Sequence, residues 1–474
     1  MSTYAQDIEF VFSEAARFAR MNAQERRELS PFETLCTLPH SSGRGHSIIG
    51  TAAHERLAML SERAVARSPK YSGRIDPEAV LQELRRQIVH RFVREGRELS
   101  TKEADRAVSS SIKAAGKACA DRTHYVPCNL VDDEAPTSFS IGPVTFCKRS
   151  MMWQRLERPL QAYLEQCRTR RSRSGEILDR RELAEMLISD AREYYGSFQW
   201  VAVVVVDGCD PPTSQRTADR TVQSTLDCIH LLLGETNSKY MVAGGRGAPC
   251  THPDRRGRIV VGPACVAEVS GLIDSRRHKL GEEWWDTLNA DGRDEYVALM
   301  GAAIEAGQEA TNTALLARRF LDAVAWFGQA TRDDSAASSV VKYVTAVERI
   351  LVTKTKDPAD IANTLAERGA ALIFDPHADD LESLRDRFKK IYGVRSALVH
   401  GSKSPTDAYL APHRHEAENL TRLMLLRALE FFGRRGLEAH TVTDRYLEER
   451  YNSRCNWAEQ YGRGGPRRAG SRRD

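Results

Sequence analysis

The chain has 474 residues, of which 41% are hydrophobic and 28% charged, with a formal net charge of +4. That length exceeds what one hydrophobic core usually supports, so two or three domains are expected. The last fourteen residues, YGRGGPRRAGSRRD, hold five arginines against one aspartate and carry that whole surplus; the balanced remainder excludes a uniformly basic coat for nucleic acid and confines any such contact to local patches.

The first thirty residues mix acids and arginines without the apolar core of a secretion signal, and no run approaches the roughly 20 apolar residues of a membrane span. A cytoplasmic protein without membrane contact is expected. Residues 1–122 read as a helical region, because DIEFVFSEAARFARM, HERLAMLSERAVAR and PEAVLQELRRQIVHRFVRE each repeat apolar residues at three and four. LPHSSGRGHS, between the first two, reads as a loop. From residue 123 the texture changes: SFSIGPVTFCK and FQWVAVVVVDG are β-branched and aromatic runs bounded by Gly and Pro. The second is apolar on both faces and is expected at the centre of a sheet. TADRTVQSTLDCIHLLLG then reads as a helix capped by Thr217 and stopped by Gly234. SKYMVAGG and GRIVVGPACV read as further short strands, and helices are expected around residues 150–196. Residues 123–300 are therefore a mixed α/β domain, suited to sensing or substrate choice.

Five amphipathic segments follow: ALLARRFLDAVAWFGQA, SSVVKYVTAVERILVT, PADIANTLAERGAALI, DDLESLRDRFKKIYGVRSALVH and APHRHEAENLTRLMLLRALEFFG. Their short connections make residues 301–436 an all-α bundle, so the fold class is α+β with a C-terminal helical bundle. Residues 437–474 are expected to be a basic, disordered tail.

Several candidates carry little chemistry. The ten cysteines form no CxxC pair and have no histidines at zinc spacing, so reduced core thiols are expected. AGGRGAP lacks the Lys-Ser/Thr of a phosphate loop and reads as a turn. In PHRHEAE, His413 and His415 fall on different helix faces, so with Glu416 they make a poor metal site. Cys128 and Cys147 bracket an expected hairpin and read as buried thiols. The run CRTRRSRSGEILDRR places Arg168, Arg170, Arg171 and Arg173 within six residues. It is either a weak RNA-phosphate contact or a solvated loop. No metal site or cofactor is expected.

What remains is KKIYGVRSALVHGSKS, which sets Arg395 and His400 five positions apart among Val394, Ala397, Leu398 and Val399. Polar groups on a packing face need a reason. With AVERIL and LAERGA upstream, the bundle over about 310–432 resembles the Apea-like branch of the HEPN superfamily. The arginine, four residues, histidine signature would be Arg395 to His400, with Tyr392 before it, the polar Ser396 after the arginine and Gly401 closing it. Glu348 and Arg368 match weaker positions. The resemblance implies a HEPN-type bundle and metal-independent RNA cleavage by a homodimer, in bacterial toxin or phage-defence settings, with transfer RNA among the candidate substrates. Other members of the superfamily are non-catalytic and bind nucleotides or proteins.

Cleavage by the neighbouring 2′-hydroxyl needs a base, an acid and positive charge for the phosphorane. Histidine, with an intrinsic pKa near 6.5, exchanges protons near neutrality, and the planar guanidinium of arginine fits phosphate oxygens. On a straight helix five residues turn the two side chains about 140° apart and separate them by about 7.5 Å. A two-fold dimer would gather two such pairs into one cleft. The competing expectation is that Arg395 pairs with Glu348 inside the bundle while His400 caps its helix.

Overall fold

The computed structural model describes residues 3–22, 24–25, 36–39, 46–167, 170–171, 177–178, 180–244, 254–261, 267–274, 278–290, 294–308, 314–353 and 358–464. It is mixed α and β, and it divides into two compact units: residues 1–123 with 205–218, and residues 124–204 with 219–474.

The first unit is built on four helices, α1 (Tyr4–Arg20), α2 (Thr51–Ala66), α3 (Pro77–Ile88) and α4 (Thr101–Ala115). Three of the four starts have a side-chain cap, whereas α2 follows Gly50 without one. Thr3 and Gln6 form a reciprocal capping box on α1, Asp76 caps α3 ahead of Pro77, and Ser100 caps α4. Ile8, Val11, Leu57, Leu60, Leu81, Leu84 and Ile88 close one apolar core between them. Asp7 is buried there because Arg63 and Arg56 both reach its carboxylate. The stretch read as a loop is flanked by strands, β1 (Cys36–Pro39) and β2 (His46–Ile49), paired antiparallel. Four-residue strands are too short for a period of two to declare itself.

A five-stranded sheet in the order β4-β5-β8-β3-β9 falls mainly in the second unit, with the first residues of β3 and the last of β8 assigned to the first. Its members are β3 (Ala120–Asn129), β4 (Ser138–Ile141), β5 (Val144–Lys148), β8 (Trp200–Cys209) and β9 (Val242–Ala243). The apolar run at β8 lies between β5 and β3, as its two-faced burial requires. The two-residue pair β6 (Arg170–Arg171) and β7 (Ile177–Leu178) stands apart from it, as does the antiparallel pair β10 (Asp254–Val261) and β11 (Ala267–Asp274). Helices α5 (Arg149–Gln166) and α6 (Arg180–Gly196) interrupt the sheet in sequence. The next helix, α7, spans Pro211–Leu233. Thr217 is therefore inside it and not its cap: Asp210 accepts the Thr213 N–H at 3.0 Å, and two prolines occupy the first turn, where they need no N–H partner. Gly234 does end it, at φ +76°.

Short helices α8 (Glu235–Ser238) and α9 (Trp284–Asn289) lead to α10 (Asp294–Gln308), α11 (Leu315–Arg332), α12 (Ala336–Leu351), α13 (Pro358–Ile373), α14 (Leu381–Val399), α15 (Leu410–Glu438) and α16 (Asp444–Gly464). Sheet and bundle meet closely at two glycines: a Cβ on Gly142, in the β4–β5 turn, would lie 2.7 Å from the Gly301 Cα of α10. The segment 437–474 is not a disordered tail throughout, because residues 444–464 form α16. Leu447, Tyr451 and Ala458 fall on one face and are fully or almost fully buried. Arg454 caps the end of α13 by donating to the carbonyls of Ala371, Leu372 and Phe374. The basic composition concealed that stripe. Residues 465–474 lie outside the described residues.

Within this unit α7 is tied to α11 by a buried polar group. Asp227 accepts from Arg332 at 2.6 Å and from Gln223 at 3.0 Å, and burial pushes its carboxyl up to about 6 against the pull of Arg332. The approach depends on Gly328, where a Cβ would lie 2.6 Å from the Asp227 Cγ. Gly328→Ala should therefore cost about 3 kcal/mol by displacing the pair. Gly393→Ala, on α14, where a Cβ meets nothing within 4 Å, should stabilise by up to about 1 kcal/mol through helix propensity. Urea denaturation of the two variants checks this, and equal effects would contradict the assigned packing.

Candidate active site

Helix α14 carries the arginine and histidine, and its two halves have different surroundings. Asp380 caps it, accepting the Ser383 N–H at 2.9 Å. Leu381, Leu384, Phe388 and Ile391 then pin its first half into the bundle. Beyond Ile391 no residue of the helix is buried, although the sequence there reads Val394, Ala397, Leu398, Val399. Val399 is 51% exposed. The helix stops because Gly401 adopts φ +76°, a left-handed turn that glycine tolerates. His400 is the C-terminal cap, exposed, its N–H donating to the Ser396 carbonyl at 2.9 Å. The glycine of the signature is thus a helix stop that presents the histidine to solvent.

Arg395 lies half-buried one turn earlier. Its Nη2 reaches Glu348 Oε2, on α12, at 3.4 Å, with the two side chains 22% and 21% exposed. The guanidinium also stands 5.9 Å from the Tyr392 ring. Its Nε is buried without a hydrogen-bond partner. Among the described residues, one of its five N–H donors is engaged, at the long end of hydrogen-bond range. Burial raises the Glu348 carboxyl above its ordinary value, and Arg395 partly offsets this. Burial also raises the Tyr392 phenol, helped by the Glu348 charge. Ser396 is partly exposed on the same half-turn. The structure therefore gathers Arg395, Glu348 and Tyr392, with the partly exposed Ser396 and the exposed His400 further along the same helix; the Arg395–Glu348 pair and the His400 cap are the arrangement of the competing expectation.

Arg368 does not join them. Only 5% exposed, it donates to the Leu351 carbonyl at 2.7 Å and to Glu448 at 2.5 Å, and lies 5.0 Å from the Tyr451 ring. Its partners belong to α12 and α16, and it closes the bundle without contacting any motif residue. Arg170 and Arg171 are on β6, whereas Arg168 and Arg173 lie outside the described residues.

His413 lies close enough to Lys403 and Lys390 that both, after burial, hold its pKa below the ordinary value. Lys390 is on α14 and Lys403 follows Gly401, where it pairs with Asp407 at 3.0 Å, and the Asp407 charge opposes the two lysines at His413. The remaining PHRHEAE residues diverge: His415 contacts Asn419, and Glu416 accepts from Arg387 at 2.6 Å. Cys128 and Cys147 are buried in the sheet, where burial pushes both thiols up, Cys128 to about 12. Among the described residues, no three His, Cys, Asp or Glu side chains are grouped to hold a metal ion, and no helix is long and apolar enough to cross a membrane. No protein-family model, curated protein or solved structure matches the chain.

Proposed function

We propose that the chain is an Apea-like HEPN protein acting in the cytoplasm as a metal-independent endoribonuclease, in a bacterial toxin or phage-defence role with RNA, transfer RNA included, as substrate. The observation that carries this reading is Arg395: a guanidinium whose one hydrogen bond among the described residues is a long contact to Glu348, on a helix end that is partly exposed from Tyr392 onward and exposed at Val399 and His400. An arginine serving only as a clasp would spend its donors inside the fold, as Arg368 does.

Two copies of the uncovered half of α14, packed about a two-fold axis, bring two arginines and two histidines into one cleft. One His400 imidazole takes the proton of the 2′-hydroxyl, and the 2′-oxygen attacks phosphorus. The second imidazole, protonated, gives its proton to the departing 5′-oxygen as the P–O5′ bond breaks. The products are a 2′,3′-cyclic phosphate and a 5′-hydroxyl. The Arg395 guanidinium neutralises the phosphorane oxygens, and Glu348 orients it.

The Arg395–Glu348 contact also fits a second reading, a non-catalytic bundle that binds nucleotide or protein. Assembly separates the two. Ala397→Glu places like charges near the proposed axis, where water is excluded. Under the first reading it yields folded, helical monomers that no longer cleave RNA, read by sedimentation and by degradation of total RNA. A wild-type monomer that is fully active at assay concentration would remove the composite site.

A further inference from the structure

The first unit has a cationic cleft that none of the chemistry above uses. It is an open hollow of about 590 Å³ along the outer face of α4, walled by Arg91, Lys102, Arg106 and Lys113. Ala104, Ala107, Val108 and Ser111 are buried on the opposite face. Lys102, Arg106, Ser109 and Lys113 follow helical spacing, so they share one stripe whose ends lie about 16 Å apart along the axis. Thr101, Ser109 and Ser110 place hydroxyls between the cations. Asp105 is the only acid in the lining. Glu103 restrains Arg91 and Arg106 from beside the cleft, and Arg91 Nη2 is steadied by Ser110 at 2.9 Å. Lys102 and Lys113 are exposed and have no ion-pair partner among the described residues.

We propose that this cleft docks the phosphodiester backbone of base-paired RNA. Cations strung along the stripe suit several phosphates in succession better than one isolated anion. A free nucleotide would need a wall for its base, and a single strand gains affinity by stacking on aromatic side chains. The lining has neither an aromatic nor a large apolar side chain. Duplex RNA, read by shape through phosphates and sugar hydroxyls, needs only cations and hydroxyls. The proposal rests on the ribonuclease reading for its choice of RNA as the polymer, and it assigns this face to binding alone.

The test is fluorescence anisotropy with an RNA duplex of about 20 base pairs, long enough to span two minor grooves, and the full chain carrying His400→Ala. Adding Lys102→Glu and Lys113→Glu should weaken binding at least about 10-fold and lower the slope of log affinity against log salt by about two. A charge-matched control, Lys70→Glu with Lys279→Glu at two exposed positions outside the cleft lining, should change binding little. Unchanged affinity and slope in the double variant, or equal losses in the control, would overturn the proposal. So would unchanged RNA affinity with lost binding to phosphatidylserine vesicles, which would assign the face to membranes. Cleavage is read separately with the wild-type chain. Lost docking in the double variant beside an inactive wild type keeps this inference and removes the ribonuclease reading, whereas active wild type with unaltered binding removes only the docking face.

Discussion

Arg395→Ala and His400→Ala should each lower RNA cleavage by about 1,000-fold or more while leaving the fold intact. The size follows from the roles: a positioned acid or base contributes roughly 10²–10⁴-fold, and a donor aimed at developing negative charge roughly 10²–10³-fold. The stability side follows from the surroundings. Arg395 makes a single 3.4 Å contact to a partner that is itself 21% exposed, so its removal should cost no more than about 1 kcal/mol. His400 is exposed at a helix end, where substitutions usually stay within about 0.5 kcal/mol. Cleavage rate and urea denaturation, measured on the same preparations, decide it. Full activity in both variants would dismiss the site. Loss of several kcal/mol of stability in Arg395→Ala would make the Glu348 contact a structural clasp.

Arg368→Ala should do the reverse and destabilise the second unit by about 3 kcal/mol, because the arginine itself is 5% exposed and its loss leaves the Leu351 carbonyl without this donor and Glu448, 21% exposed, with the Thr353 hydroxyl in place of a charged partner. Arg368→Lys should recover part of that loss, since an ammonium reaches one acceptor but not the fork of two. Below its own melting temperature the Ala variant should keep its rate per folded molecule. A selective loss of rate with unchanged stability would return Arg368 to the cleavage chemistry. The two arginines illustrate how a motif position and a structural position differ: one keeps its donors open, the other spends them on its own fold.

Much of the helical architecture was legible because long amphipathic segments repeat their pattern enough times to be read. FQWVAVVVVDG was legible as a central strand because its β-branched run is apolar on both faces, and Trp200, Val201, Ala202 and Val204 are buried, although Val205 is 52% exposed. Shorter or composite elements were not legible. β1 and β2 are four residues each, and β3 alternates too weakly in ADRTHYVPCN to stand out. α16 hides three buried residues among arginines and glutamates, and its order depends on α12 and α13 offering Ile350 and Ala371 carbonyls to Tyr451 and Arg454. In the candidate site the proximity of Tyr392 and Arg395 followed from helical spacing, whereas Glu348, on another helix, was named from the resemblance and as a polar group on an apolar face in need of a partner. The divergence of Arg368 could not be read, because its partner Glu448 lies 80 residues on. Nor could the partial exposure of α14 beyond Ile391 be read, since a run of Val394, Ala397, Leu398 and Val399 looks the same in sequence whether it is fully or partly covered.

The central claim is that two side chain types, without a metal, cleave RNA through the neighbouring 2′-hydroxyl. The most direct measurement is the chemistry of the ends that the purified full chain leaves on RNA in excess chelator. The account predicts sustained cleavage with 2′,3′-cyclic phosphate and 5′-hydroxyl ends, absent from the Arg395→Ala and His400→Ala proteins. Cleavage that stops in chelator and returns with a divalent ion, or products ending in 3′-hydroxyl and 5′-phosphate, would contradict it.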